Sequence, residues 1–335
     1  MVWLKFILCL IVILFAGTKL ARYGDAIAEK TGLGRIWVGL LLLAIITTMP
    51  ELATGVSSAA LVKIPDLALG TFLGSCAFNL AILALLDVLY HSTPILSNVS
   101  RGHIVSAGVG ILLVAVAALS VYYGGKFSGL ALGWVGFPSI IIIILYLFGI
   151  RQMFLLERGK KHLVLPQVES FLYKNVSLKV VYIRFASAAI AVIGAGIWLS
   201  FVGDEIAETY ALDASFVGSL FLAVTTSMPE LVVAVAAVRL GAIDMAVADI
   251  LGANMIDIAG VALTDLFYTQ GPILTVVSRT HLITAMVVVI MSLLVIVGLV
   301  FRQERKNFIV ISWYGPLLIG LYIFGAYLLF NSCVW

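Results

Sequence analysis

Two segments of this chain, Thr47-Thr-Met-Pro-Glu51 and Thr226-Ser-Met-Pro-Glu230, set a proline and a glutamate inside otherwise apolar stretches, and they mark the two copies of an internal repeat. Tyr23-Gly-Asp-Ala-Ile-Ala-Glu29 matches Val202-Gly-Asp-Glu-Ile-Ala-Glu208 at an offset of 179 residues. The same offset pairs Val38-Gly39 with Val217-Gly218 and one Met-Pro-Glu triplet with the other. One residue is lost near Lys63. At the new offset of 178, Asp66 meets Asp244, Leu73-Gly74 meets Leu251-Gly252, and Asp87 meets Asp265. Ser100-Arg101 with His103 then meets Ser278-Arg279 with His281. A register held this far is a duplication and not a bias of composition.

Composition decides the solvent in which the two copies fold. Hydrophobic residues make up 63% of the 335 and charged residues 11%, against about 25% charged in a soluble globular protein. Windows of about 20 apolar residues, enough to cross a bilayer core as a helix, recur almost throughout. They predict spans at 2–18, 35–62, 66–90, 103–123, 128–149, 178–200, 214–238, 243–268, 281–301 and 309–331. The expected fold class is therefore an all-α membrane protein, ten transmembrane helices in two inverted five-helix repeats. Five spans per copy is an odd number, so the second copy enters the membrane from the opposite side. Inverted repeats with helices interrupted at the midplane are a common transporter plan. The expected organisation is a first repeat over 1–149, a linker over 150–177 and a second repeat over 178–335. The first span has a single lysine before it and no small-residue cleavage site, so it reads as a helix and not as a signal peptide.

The charges give an orientation. Of the 20 Lys and Arg, only Lys5, Lys63, Lys126 and Arg279 fall on the side of the N-terminus, and the other sixteen fall on the opposite side. Basic residues collect in the cytoplasm, which predicts both termini outside and the loop 150–177 inside.

The chemistry lies in the interrupted spans. Proline lacks an N–H and obstructs the preceding helical turn, so the chain should loosen at 47–50 and 226–229. That would free carbonyls near Ala44 and Ala223 and set the hydroxyls of Thr47 and Thr226 beside a carboxylate. Thr48-Met-Pro-Glu51 and Ser227-Met-Pro-Glu230 also fit a capping box, in which the glutamate merely satisfies the restarted helix. An acid at membrane depth costs about 3 kcal/mol or more, and a glutamine could cap more cheaply, so the pair points to a bound cation. The next span of each copy adds Ser75 and Asn79, and Ala253 and Asp257, four residues apart and so on one helix face. A lone Asn there is ordinarily glue between helices. Glu51, Glu230 and Asp257 with Asn79, Thr47 and Thr226 make an all-oxygen set that suits Ca2+ and can also hold Na+. Asp87 and Asp265, near span ends, read as structural or interfacial, with a role in ion access as the less favoured alternative. Cys9, Cys76 and Cys333 show no metal or redox spacing and read as packing residues.

At these residues the chain resembles the cation/Ca2+ exchanger superfamily, and within it the prokaryotic sodium/calcium exchangers. The likeness covers roughly 38–90 and 217–268, and the inverted layout extends it to the whole chain. It implies that Glu51, Glu230, Asn79 and Asp257 line a central Ca2+ site. It further implies roles for Thr47, Thr226, Thr48, Ser227, Ser75 and the carbonyls of Ala44 and Ala223 toward Ca2+ and Na+. The sequence departs from the family pattern in three ways. The glycine before the motif threonine is Ile46 or Thr225, a Na+-site serine is Ala253, and an expected Asn is Thr71 or Asp249. Asp249 is an extra carboxylate two turns before Asp257.

The leading expectation is a Na+/Ca2+ antiporter working by alternating access through one shared carboxylate site. The alternative of the same fold couples Ca2+ or another divalent cation to protons, and a channel with acidic rings is a further one. No enzyme is expected: His91, His103, His162 and His281 sit at span ends or in loops without nucleophile spacing. No cofactor is expected beyond the transported Ca2+ and Na+. The expected surroundings are the lipid bilayer of a prokaryotic cell membrane, with no nucleic acid, no obligate protein partner and a monomer as the working unit.

Overall fold

The computed structural model describes residues 1–31, 43–90, 93–124, 131–158, 177–306 and 311–332. The first part of the predicted span 35–62 and most of the predicted linker lie outside the described residues. Helices α1 (Val2–Thr31), α2 (Leu43–Thr47), α3 (Met49–Ser57), α4 (Pro65–Leu89), α5 (His103–Tyr123) and α6 (Phe137–Arg158) form the first half. The second half holds α7 (Leu178–Tyr210), α8 (Ala214–Val217), α9 (Ala223–Thr226), α10 (Met228–Arg239), α11 (Ile243–Phe267), α12 (Ile273–Val276), α13 (His281–Val300) and α14 (Tyr314–Ser332). Single π-helical turns extend α3 over Ser58–Val62 and join α8 to α9 over Gly218–Leu222. Among the described residues eight helices are long and apolar enough to cross a membrane, or nine if the bent pair Ala214–Thr226 and Met228–Arg239 counts as one span. The chain is an all-α, multi-pass membrane protein.

One predicted span is displaced. Residues 131–136 form a two-stranded hairpin, β1 (Ala131–Leu132) and β2 (Val135–Gly136), and the helix expected over 128–149 starts at Phe137 and runs to Arg158. Gly133 sits at φ 68 in the turn. Pro138 fits the first turn of the following helix, where its missing N–H is not needed.

Helices α4 and α11 form the centre, with 72% and 89% of their spanning windows buried against 22% for α6 and α14. They run antiparallel, since Phe72 faces Gly260 while Cys76, further along α4, faces Asn254, earlier on α11. The broken helix of the other half crosses α4 on glycine: a Cβ on Gly74 would stand 2.3 Å from the Ser219 carbonyl oxygen, and one on Gly218 would stand 2.6 Å from that of Leu67. Small residues are what let membrane helices pack backbone to backbone. Around this centre α1 lies along α7, tied at one end by Lys5 to Glu205 (2.6 Å) and Trp3 Nε1 to the Tyr210 hydroxyl (2.6 Å).

Four aspartates of the repeat brace the scaffold in related pairs. At the start of α4, Asp66 Oδ1 accepts from Ser278 N at 2.7 Å and lies 3.0 Å from His281 Nε2. At the start of α11, Asp244 Oδ1 accepts from Ser100 N at 2.6 Å and lies 3.0 Å from His103 Nε2. Each half thus clamps the other, and because α4 and α11 are antiparallel the two clamps stand at opposite ends of the molecule. At the far ends of the same helices, Asp87 accepts from Ile95 N (2.9 Å), Ser312 N (2.7 Å) and the Tyr314 hydroxyl (2.6 Å). Asp265 accepts from Ile273 N, Gly136 N and the Ser139 hydroxyl, each at 2.7 Å. Both carboxylates are fully buried and spent on the backbone that starts a following helix, which is the structural role expected of them.

Hydrogen bonds to a charged acceptor are worth about 1.5–3 kcal/mol, less here because the clamp aspartates are partly exposed. His103→Ala and His281→Ala should each destabilise the detergent-solubilised protein by about 1–2 kcal/mol. Sites this far apart should add within about 0.5 kcal/mol in the double variant. Thermal unfolding of all three variants measures this, and a double variant no weaker than either single one would contradict two independent clamps.

Candidate cation site

The two motifs break their helices where the sequence places them. Helical geometry lapses at Thr48 (φ −79, ψ 2) and at Ser227 (φ −84, ψ 11), and α3 and α10 restart with Pro50 and Pro229 in their first turns. The second break bends its span by 43°. The carbonyls of Ala44 and Ala223 are not freed, contrary to expectation. They accept from Thr48 N and Ser227 N, each at 3.0 Å. The physical reason is the register of the proline effect: Pro50 and Pro229 withhold the N–H that would reach four residues back, to Ile46 and Thr225. The capping-box alternative also fails, because Glu51 and Glu230 bond neither Thr48 N nor Ser227 N, which those alanine carbonyls already hold.

The side chains predicted for the site are all buried: Thr47, Thr48, Glu51, Ser75 and Asn79 from one half, Thr226, Ser227, Glu230 and Asp257 from the other. Their hydrogen bonds break the symmetry of the repeat. Ser227 donates to Glu51 Oε1 at 2.8 Å, across the two halves. Its counterpart Thr48 turns back and donates to the Ala44 carbonyl at 2.7 Å. Thr47 and Thr226 likewise spend their hydroxyls on their own helices, within 3.2 Å of the Ala44 and Ala223 carbonyls. Ser75 reaches the Ala223 carbonyl at 3.5 Å.

What remains is a set of enclosed polar atoms without a hydrogen-bond partner. It comprises Glu51 Oε2, both oxygens of Glu230, Asp257 Oδ1 and both ends of the Asn79 amide. Glu230 stands within electrostatic reach of Glu51, Asp249 and Asp257. Unpaired ionised groups are not stable in an apolar interior, so an arrangement of this kind is chemically suited to a cation. Among the described residues no three His, Cys, Asp or Glu side chains close on one point tightly enough to hold a metal ion. Among the described residues the acids alone do not form a cage.

Sequence reasoning missed one neighbour. Cys76, read as a packing residue outside an all-oxygen centre, is fully buried with its sulfur 3.8 Å from Asp257 Oδ2 and 3.6 Å from the Asn254 carbonyl oxygen. A sulfur does stand at the edge of the site. The amide of Asn254 returns a bond to the Cys76 carbonyl at 3.2 Å. Spacing along α4 could have hinted at it, since Cys76 and Asn79 are three residues apart on one helix face.

The model of the family described as sodium/calcium exchanger protein matches residues 1–151 and 180–331. The chain belongs to this family. Among curated relatives it is 28% identical over 290 residues to the inner membrane protein YrbG of Escherichia coli, covering 85% of this chain and 86% of that one. It is 25% identical over 321 residues to the uncharacterized membrane protein MJ0091 of Methanocaldococcus jannaschii, covering 95% and 94%. A shorter stretch of 124 residues is 35% identical to the sodium/potassium/calcium exchanger 2 of Gallus gallus, covering 35% of this chain and 18% of that protein. Among solved structures, the sodium-calcium exchanger NCX_Mj superposes with a TM-score of 0.62 at 22% identity, over 97% of this chain and 98% of that one. The shared fold is that of an exchanger, and membership supports exchange of Ca2+ against another cation.

Proposed function

We propose that this exchanger-family chain moves Ca2+ in one direction against Na+ in the other, both visiting one midplane site by alternating access. The observation that carries this reading is the set of buried, unpartnered carboxylate and amide oxygens that the two broken helices and α4 and α11 bring together. Glu51, Glu230 and Asp257 supply charge; Asn79, Thr47, Thr226, Thr48, Ser227 and Ser75 supply neutral oxygens. The carbonyls of Ala44 and Ala223 join them only if the hydroxyls now bonded to them rotate away. A Ca2+ ion takes six to eight oxygens at about 2.3–2.6 Å, and the unpartnered oxygens of Glu51, Glu230, Asp257 and Asn79 number five, so rotation of the threonine hydroxyls toward the ion is part of binding. Competition of the two ions for the same oxygens couples their fluxes. The repeats, 1–149 and 178–335 joined by 150–177, supply two related packings and hence two access states. In this reading both termini lie outside, the linker is cytoplasmic, and one chain is the working unit.

The test uses purified protein in liposomes. Ca2+ should enter when an outward Na+ gradient is imposed and should stop entering when the gradient is removed. Uptake that follows only a pH gradient, or only a K+ gradient, would replace Na+ as the coupling ion. Ca2+ flux indifferent to every counter-ion gradient would make the protein a channel.

A further inference from the structure

Cys76 sets a soft atom beside hard oxygens. It is fully buried on α4, its sulfur 3.8 Å from Asp257 Oδ2 and 3.6 Å from the Asn254 carbonyl oxygen. A thiol has one proton to give, so it satisfies only one of these two acceptors. The polar atoms beside it are idle. Asp257 Oδ1, Asn254 Oδ1 and both ends of the Asn79 amide have no hydrogen-bond partner, on three residues no more than 6% exposed.

The helices account for this grouping. Cys76 and Asn79 are three residues apart on α4, and Asn254 and Asp257 three apart on α11, so each pair shares a helix face. The Asn254 amide donates to the Cys76 carbonyl at 3.2 Å, which holds the two faces against each other. The sulfur–oxygen distance then says what the pair suits. A thiol is a weak donor, and 3.8 Å is long even for a hydrogen bond to or from sulfur. Two ligands of one metal ion stand at nearly that separation. With Zn–S about 2.3 Å and Zn–O about 2.1 Å at a tetrahedral angle, the two ligand atoms are about 3.6 Å apart. A Cd2+ ion, larger than Zn2+ and close to Ca2+ in size, sets them slightly further apart. Hard cations take oxygen, whereas thiolate sulfur selects softer ones.

We propose that Cys76 and Asp257 together ligate a thiophilic divalent cation, Zn2+ or Cd2+. Among the described residues no third His, Cys, Asp or Glu joins them, so the amide oxygens of Asn79 and Asn254 and water complete the shell. The thiolate is the ligand, and the thiol proton leaves to water as the metal–sulfur bond forms. Asp257 also belongs to the proposed Ca2+ site, so the two ions exclude each other and Cys76 sets the preference between them. Only that competition rests on the exchange reading above.

The probe is Cd2+, whose bond to a thiolate gives an ultraviolet charge-transfer absorption that Ca2+ does not. The full-length protein in detergent is titrated with Cd2+, and Ca2+ is then added against it, in the parent and in Cys76→Ser. The parent should develop the absorption as Cd2+ binds and lose it as Ca2+ displaces the metal. In Cys76→Ser the absorption should be absent, and the ratio of Cd2+ to Ca2+ affinity should fall at least about tenfold, because serine puts a hard oxygen in place of the sulfur. Ca2+ binding by the same variant shows that it is folded, and the parent titration decides the matter without it. A parent that binds Cd2+ with no such absorption would overturn the proposal. So would an absorption that persists in Cys76→Ser, or an unchanged affinity ratio. An absorption that excess Ca2+ leaves in place, in a parent that binds Ca2+, would overturn the competition. A parent that shows the absorption but binds no Ca2+ would instead sink the exchange reading and leave the sulfur ligand standing.

Discussion

Glu230→Gln should abolish Ca2+ uptake into liposomes while making the Ca2+-free protein more stable. Both effects have one origin. Glu230 is fully buried, neither oxygen is hydrogen-bonded, and the fields of Glu51, Asp249 and Asp257 converge on it. Glutamine keeps the shape and removes the charge, so the folded state no longer bears the repulsion of three other acids. In the proposed site the cation loses a charged ligand in return. A lost charged ligand of this kind should weaken Ca2+ binding by about 3 kcal/mol, or roughly 100-fold. Glu51→Gln should weaken binding comparably and should also stabilise the Ca2+-free protein, because it removes the same repulsion with Glu230 while its amide oxygen can still accept from Ser227, now at 2.8 Å from Glu51 Oε1. Sites that trade stability for function show this pattern. Calorimetric Ca2+ binding and thermal unfolding of both variants decide it, and retention of parental Ca2+ affinity by Glu230→Gln would falsify the proposed site.

The architecture was legible in the sequence because two independent signals agreed. Apolar windows give the helices, and the repeat gives their inversion. The helix breaks at Thr48 and Ser227 were legible for the same reason, since Met-Pro-Glu recurs at a fixed offset. The cross-half contacts were not. A repeat aligns residues that are related by symmetry, whereas an inverted pair of halves brings together residues that are not aligned. Asp66 aligns with Asp244 but bonds Ser278 and lies against His281. Ser227 aligns with Thr48 but bonds Glu51. The same blindness hid Cys76, whose partners Asp257 and Asn254 come from the antiparallel helix α11. The carbonyl expectation failed for a more local reason. The effect of a proline falls four residues back, on Ile46 and Thr225, so Ala44 and Ala223 keep their ordinary helical bonds.

Those limits bear on Asp87, where the sequence left a structural and an ion-access role open and the hydrogen bonds favour the first. Asp87→Ala should be among the most destabilising single changes in the chain. Its carboxylate accepts from Ile95 N, Ser312 N, the Ser312 hydroxyl and the Tyr314 hydroxyl, at 2.9, 2.7, 3.0 and 2.6 Å. Two of these donors are backbone groups, and Ser312 stands just before α14. Removing the acceptor strands several buried donors at once, which costs on the order of 3–5 kcal/mol when a buried charged network is broken. For a chain of this size that is a fall of about 5–10 °C in the unfolding midpoint. Asp87→Asn should recover only part of the loss, since an amide offers one oxygen where the carboxylate offers two, and its NH2 group meets a surrounding built of donors. Neither change should move Ca2+ affinity in the fraction that remains folded, because Asp87 shares no hydrogen bond with any residue of the central site. Thermal unfolding and Ca2+ titration on the same samples separate the roles. A large loss of Ca2+ affinity at unchanged stability would return Asp87 to the ion pathway and leave the start of α14 without its anchor.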